Sequence, residues 1–392
     1  MKIVDDIIND VKKNGDKAVR KYTNIFDATD VKNFRVSDEE IASAYNKIDK
    51  KTLRTIKLAA ANIRKLCKKQ FNQFKNFEYK KDGVIIGQKI IPIEKIGVYI
   101  PGGKYPLLST ALMCIIPAKV AGVKNIIACS PKIKPETIVA SHLVGANQIF
   151  RVGGVQAIAA MAYGTKTVPK VDKIVGPGNI YVTRAKKQIY GDCGIDFLAG
   201  PSEILIIADK WASPSFIASD LLAQAEHDAN AKLIFITDSA VLIGRVEKEL
   251  KNRLTDIATK KIAEISLNQK KIIKVNKLEE AIEIANEFAP EHLELQIKNP
   301  RRFLNKLKNY GSLFLGNYSA VAFGDYCSGT NHVLPTDKAS RYTGGLSVRD
   351  FVKIQTYQYI TEEGARKLGK IAEDLAAIEG LDAHQKSVRA RQ

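Results

Sequence analysis

Of 392 residues, 45% are hydrophobic and 26% charged, an ordinary globular balance with length for two or more core-bearing domains. No apolar run reaches the about 18 residues that span a bilayer; the best stretch, 107–123, is interrupted by Ser109, Thr110, Pro117 and Lys119. The net charge of +19 raises nucleic acid as a partner, but the lysines are spread along the chain among acids, without a basic arm, and read as a solvated surface.

Residues 1–80 read as helical, and the start lacks a signal-peptide core, so a cytoplasmic protein is expected. From about residue 90, apolar β-branched runs alternate with amphipathic stretches. Strands are expected at 95–100, 124–130, 148–152, 172–175, 203–209, 232–238 and 312–316, with helices at 135–146, 153–164, 216–228 and 241–254. That alternation predicts an α/β protein with largely parallel sheets in two successive blocks, 95–200 and 200–320, and the pattern alone does not show a duplication. A last helix is expected over 362–380. Glycine-rich turns at 100–106, 151–160 and 175–182 each follow a strand, where backbone N–H groups and a helix N-terminus can meet phosphate. None is a full dinucleotide fingerprint, because Tyr181 stands where the third glycine would be; taken alone, they read as turn punctuation rather than a nucleotide site. Five cysteines, without a CxxC pair, read as reduced thiols.

Four of the five histidines fall in polar clusters. Gln224 and His227 are spaced i,i+3, which puts both on one face of a helix. Asp325 and His332 share a polar loop, 323–336, and Glu379 and His384 follow the last helix. Glu291 and His292 are adjacent behind Pro290. His142 stands apart and reads as a surface or packed residue. Together the clusters offer imidazole and carboxylate ligands for a metal such as zinc, although Gln is an uncommon zinc ligand. Cys327, two residues past Asp325, leaves a thiolate nucleophile as a rival idea against a passive small residue. Proline favours the first position of a helix, so Glu291 and His292 are expected in a first helical turn, whose dipole would bias both toward their basic forms.

In order along the chain, VYIPGG, VGGVQAIAAMAYGT, VGPGNIYV, AGPSEILIIAD, AQAEHD, APEHLE, GDYCSGTNHVLPT and EGLDAH resemble the motifs of the histidinol dehydrogenase family. The resemblance runs from about residue 3 to the end. It implies two incomplete Rossmann-like parallel-sheet domains with helical N- and C-terminal extensions. The divisions are 1–97 with 202–346 as the metal-binding catalytic domain, 98–201 as the NAD-binding domain, and 347–392 as a tail reaching a dimer partner. It implies oxidation of L-histidinol through L-histidinal to L-histidine with two NAD, the last two steps of histidine biosynthesis. One zinc per subunit is implied on Gln224, His227, Asp325 and His384. These four residues, with Ser202, His292, His332 and Glu379, are the implied substrate contacts, and Tyr99, Gln156 and Asn179 contact NAD. Glu291 and His292 become the acid–base pair, His292 for the alcohol and Glu291 for the water that attacks the aldehyde. In a homodimer Glu379 and His384 would act in trans; neither nucleic acid nor membrane is an expected partner. The chain starts later than is usual in the family, and Cys327 stands where a small alanine is common. A zinc- and NAD-linked dehydrogenase of another hydroxy compound is the alternative; His332 and Glu379, suited to holding an imidazole, speak against it.

Overall fold

The computed structural model describes residues 2–27, 31, 33–102 and 106–392, so part of the expected 100–106 turn lies outside the described residues. Helices α1 (Lys2–Asn14), α2 (Asp16–Asp27), α3 (Asp38–Lys47) and α4 (Lys50–Phe71) come first. A capping box starts α3: Ser37 and Glu40 each accept the other's backbone N–H. The apolar face of α1, Val4, Ile7, Ile8 and Val11, is buried. A hairpin follows, β1 (Phe77–Lys81) and β2 (Val84–Pro92).

The first α/β block contains β3 (Lys95–Tyr99), α5 (Leu108–Val120), β4 (Asn125–Cys129), α6 (Pro135–Val144), β5 (Gln148–Phe150), α7 (Gly154–Tyr163), β6 (Lys173–Val175), α8 (Ile180–Ile189) and β7 (Gly194–Ile195). Its strands form a parallel sheet in the order β5-β4-β3-β6-β7. The second block contains β8 (Glu203–Ala208), α9 (Pro214–Ala225), β9 (Lys232–Thr237), α10 (Ala240–Leu254), α11 (Lys260–Leu267), β10 (Lys271–Lys274), α12 (Leu278–Phe288), β11 (His292–Gln296), β12 (Ser312–Leu315) and α13 (Val321–Tyr326). Its strands are parallel in the order β10-β9-β8-β11-β12. Counted in chain order, both sheets read 3-2-1-4-5, so the second block repeats the first in topology.

Strands covered on both faces by helices are buried along their length: all six residues of β8 are buried, and beyond Glu203 they are apolar at every position. Ile204, Ile206 and Ala208 belong to the core under α9, whereas Leu205 and Ile207 point into the core under α12, as the two-residue period requires. The apolar sides of α1 and α2 pack on α7, and α4 packs on α5, so the N-terminal helices lie on the first block. Beyond the second block, β13 (Val352–Ile360) pairs antiparallel with β2 along nine residues, closing a three-stranded sheet that sequence periodicity does not single out. Helices α14 (Glu362–Ile378) and α15 (Asp382–Arg389) end the chain and pack on each other. No helix among the described residues is long and apolar enough to cross a membrane.

One expectation fails here. Pro290 does not start a helix: α12 ends at Phe288, Ala289 takes the left-handed C-cap conformation (φ 54°), and Pro290 blocks continuation. Glu291 lies in a bend and His292 opens β11, so neither sits in the first turn of a helix. The physical reason is that HLELQ is sandwiched between β8 and β12 as an inner strand.

Candidate active site

The first sheet reverses its winding between β3 and β6, the place where open α/β sheets hold ligands beyond their strand ends. There, a cleft of about 470 Å³ is lined by Tyr99, Gly102, Gly154, Gln156, Asn179 and Tyr181. The three residues expected to contact NAD thus share one cavity. The Tyr99 hydroxyl accepts the Gly154 N–H at 3.1 Å, fixing the turn that starts α7. Asn179 caps α8, its side-chain oxygen accepting from Tyr181 and Val182 at 3.0 and 3.1 Å. Two helix N-termini therefore open onto the cleft, a setting suited to phosphates. Gln156 is buried, and its Oε1 has no protein partner.

The turn after β6 is held from below by a buried ion pair. Lys186 Nζ donates to the Gly176 carbonyl at 3.0 Å and pairs with Asp196, whose other oxygen accepts the Gly176 N–H at 2.8 Å. Side chains of both ions are nearly inaccessible, at 4% and 1%. A Cβ at Gly176 would meet the Tyr99 carbonyl at 2.1 Å, which is why glycine stands there.

In the second block the polar residues gather at the amino ends of the strands. A single residue of β8, Glu203, organises the acid–base pair. Its N–H donates to Glu291 Oε2 at 2.9 Å, and its carbonyl accepts from His292 Nδ1 at 3.0 Å. The ring nitrogen facing a carbonyl must carry hydrogen, so Nε2 holds the basic lone pair of a neutral His292. That Nε2 is buried without a hydrogen-bond partner and lies 3.8 Å from Asp325 Oδ1, beyond hydrogen-bond reach. Glu291 Oε2 stands 3.5 Å from His292 Nδ1.

Burial pushes the Glu291 carboxyl up to about 7, against the opposing pull of His292 and the Glu203 N–H. Burial alone would lower His292, but the charges of Glu291 and Asp325 and the Glu203 carbonyl outweigh it and push the imidazole up to about 9. The expected bias of both groups toward their basic forms is therefore not built into the backbone. Asp325 is held below the usual carboxylate range, since His292, His332 and His227 outweigh its burial. Burial lowers His332, whose Nδ1 hydrogen-bonds the Asp325 carbonyl at 2.9 Å.

Gln224 is buried near the end of α9, whereas His227 is exposed in the turn beyond it, its N–H donating to the Gln224 carbonyl at 3.3 Å. The helix stops at Ala225, before the predicted 228, because the Asp228 turn interrupts it. Ser202 immediately precedes β8, and its carbonyl accepts the Lys232 N–H at 2.9 Å. Asp325 sits on α13, within the stretch expected to be loop. The following loop is pinned to the first block, Asn62 of α4 donating to the Cys327 carbonyl and Asn331 donating to the Met113 carbonyl of α5, each at 2.8 Å. Gly329 (φ 111°) passes so close to α4 that a Cβ would meet the Asn62 carbonyl at 2.8 Å.

Glu379 and His384 are exposed on the C-terminal helices, and no described hydrogen bond or ion pair joins them to this cluster. Among the described residues no three His, Cys, Asp or Glu side chains of one chain are grouped to hold a metal ion. His142 is exposed and bonded to the Tyr45 hydroxyl at 3.0 Å, as a surface residue should be. The cysteines are all free thiols, four buried and Cys327 exposed. Sequence reasoning missed Glu203, Asp220, Glu294 and Lys186. Each is a charged residue in or beside an apolar run, a signal that periodicity arguments tend to average away.

The fold agrees with comparisons to known proteins. The family model for histidinol dehydrogenase matches residues 1–392. A histidinol dehydrogenase of Methanocaldococcus jannaschii is 48% identical over 391 residues, covering 98% of this chain and 91% of that protein. One from Clostridium acetobutylicum is 45% identical over 397 residues, covering 100% and 92%. The crystal structure of histidinol dehydrogenase from Elizabethkingia anophelis superposes with a TM-score of 0.96 at 41% identity, covering 100% of this chain and 91% of that one. With the match unbroken from end to end in both sequence and fold, the chain belongs to the histidinol dehydrogenase family.

Proposed function

We propose that this chain oxidises L-histidinol through L-histidinal to L-histidine, in two NAD-linked steps at one site, as the last two reactions of histidine biosynthesis. The observation that carries the reading is the adjacent Glu291 and His292, both anchored on Glu203, with His292 Nε2 unpartnered beside Asp325. Residues 98–201 hold NAD against Tyr99, Gln156 and Asn179. The partnerless Gln156 Oε1 and the two helix N-termini suit a ligand with hydroxyl donors and phosphates. Residues 202–346 carry the metal and base groups; the helices of 1–97, expected to belong with them, pack instead on the first block, and 347–392 is the tail. A cytoplasmic location accords with this metabolic role.

Gln224, His227 and Asp325, joined by His384, would hold zinc. The donor set fits, since it combines a carboxylate held in its charged form with two imidazoles, and a neutral amide limits the total charge. Zinc, when bound, supplies a template for the imidazole and amine of the substrate and offsets the Asp325 charge that holds a proton on His292. NAD, when bound, supplies the hydride acceptor for both oxidations. Within this chain, His292 Nε2 takes the alcohol proton in the first step while Glu203 holds its ring. Glu291 draws the proton from a water in the second step, and His332 with Glu379 orients the substrate imidazole, alongside Ser202.

Glu379 and His384 act across a homodimer in this reading. On α14, Leu368, Ile371, Leu375 and Ile378 form an exposed apolar stripe at helical spacing, and Tyr357 and Tyr359 are exposed on one face of β13. A second copy covering these faces would bring its tail toward the site. Purified protein incubated with L-histidinol and NAD should form two NADH per substrate, and a chelator should abolish this; absence of NADH overturns the reading.

A further inference from the structure

Three polar side chains project from one face of a central strand into apolar core. On β11, His292, Glu294 and Gln296 alternate with Leu293 and Leu295, and every residue of the strand is buried. Only His292 has a part in the chemistry above. Burying a carboxyl and an amide beside it is costly unless they are bonded. Here the carboxyl and the amide nitrogen are bonded to the two helices that present the metal donors, while Gln296 Oε1 is buried without a partner. Gln296 Nε2 donates to Glu294 Oε2 at 2.9 Å and to Asp220 Oδ2 at 3.0 Å. Glu294 Oε1 accepts the N–H of Val321, the first residue of α13, at 3.2 Å.

The positions of these contacts matter more than their number. Asp220 lies on α9 four residues, about one turn, before Gln224. Val321 lies four residues before Asp325 on α13. Glu294 is two residues beyond His292 on the same strand face. One hydrogen-bonded cluster thus touches all three elements one step away from a working residue. We propose that Asp220, Glu294 and Gln296 form a buried positioning unit that locks α9 and α13 onto β11, setting the spacing of Gln224 and Asp325 around His292. The proposal rests on the metal and base assignments given above and extends them to the layer beneath.

Two carboxyls share one amide donor here, so a proton between them completes the cluster. Burial raises both acids, and Glu294, the more buried and the one facing Asp220, is raised further. Glu294 therefore holds that proton and Asp220 carries the charge. None of the three contacts the dinucleotide cleft, which belongs to the other sheet.

The test uses the full chain, with zinc affinity from chelator competition, NADH affinity from fluorescence, and amide exchange of 214–225 and 321–326 in metal-free protein. Asp220→Ala and Gln296→Met should each weaken zinc binding about 10- to 100-fold, the usual effect of losing a partner behind a ligand. Both should speed exchange in the two helices and leave NADH affinity unchanged. Asp220→Asn can accept from Gln296 and donate to Glu294, so zinc affinity and exchange should stay near wild type. Unaltered exchange and zinc affinity in both disruptive variants overturns the proposal. So does a parallel loss of NADH affinity, which would mean general loosening, or an Asp220→Asn variant as impaired as Asp220→Ala. If wild-type protein binds no zinc, the metal assignment fails, while the exchange result still decides the positioning unit.

Discussion

Replacing Glu291 by Gln isolates the aldehyde step. The amide oxygen can still accept the Glu203 N–H at 2.9 Å, so the bend before β11 keeps its anchor and the fold is preserved. What is lost is the ability to take a proton. General-base catalysis contributes about 10²–10⁴-fold, so oxidation of supplied L-histidinal should fall by at least about 100-fold. Oxidation of L-histidinol to the aldehyde, assigned to His292, should fall far less, whereas His292→Asn should reverse the pattern. The pH profile gives a second handle. A base must be ionised to act, and burial places the Glu291 carboxyl at about 7, so the wild-type aldehyde rate should rise through pH 7. One unit below, roughly a tenth is ionised, and the rate should be about tenfold under its plateau. Glu291→Gln should flatten that rise. Single-turnover NADH formation from each substrate, followed from pH 5.5 to about 9, measures all of this. Equal losses in both half-reactions would refute the division of labour, and an unchanged pH rise in the variant would refute Glu291 as the titrating base.

Lys186→Met leaves Asp196 charged and buried behind the dinucleotide turn, and denaturant unfolding should show a loss of about 3–5 kcal/mol, with weaker NADH binding; a loss under about 1 kcal/mol would contradict the role given to this pair. Cys327→Ala should turn over near the wild-type rate, because the loop is pinned through the Cys327 carbonyl and its thiol faces outward; an inactive variant would revive a covalent thiolate route. Mixing Glu291→Gln with His384→Ala chains tests action in trans. Random pairing makes half the dimers mixed, each with one intact site, so about a quarter of wild-type activity should return. If His384 acted within its own chain, none would.

The first fold layer was readable because its strands are continuous apolar runs bounded by glycine turns, and 95–100 and 203–209 were placed within a residue or two. The strand at 271–274 is only four residues between lysines, and the strand at 292–296 carries His, Glu and Gln. Polar residues on a buried strand break the pattern that periodicity detects. The antiparallel sheet of β1, β2 and β13 is exposed on nearly all positions of β1 and β13, so it has no apolar alternation to find. Candidate site residues could be named from motifs, but which ones meet could not. Gln224 and His227 differ in burial although spaced as helical neighbours, because the helix ends between them.

Adjacent residues in a strand point to opposite faces, which would separate Glu291 from His292 if both lay in β11. They converge because the strand starts at His292 and the bend after Pro290 turns Glu291 back toward β8. There a single residue, Glu203, presents a donor and an acceptor, its N–H for the carboxylate and its carbonyl for the imidazole. A helix would have pointed the two side chains about 100° apart and left Glu203 unable to bind both. Proline is needed at 290 for its power to end α12, with Ala289 already in the left-handed region, and not for starting a helix. The same arrangement fixes the tautomer of His292, and that sends its basic nitrogen to the Asp325 side. Two bases thus stand next to each other in sequence because one backbone unit of the neighbouring strand orients both.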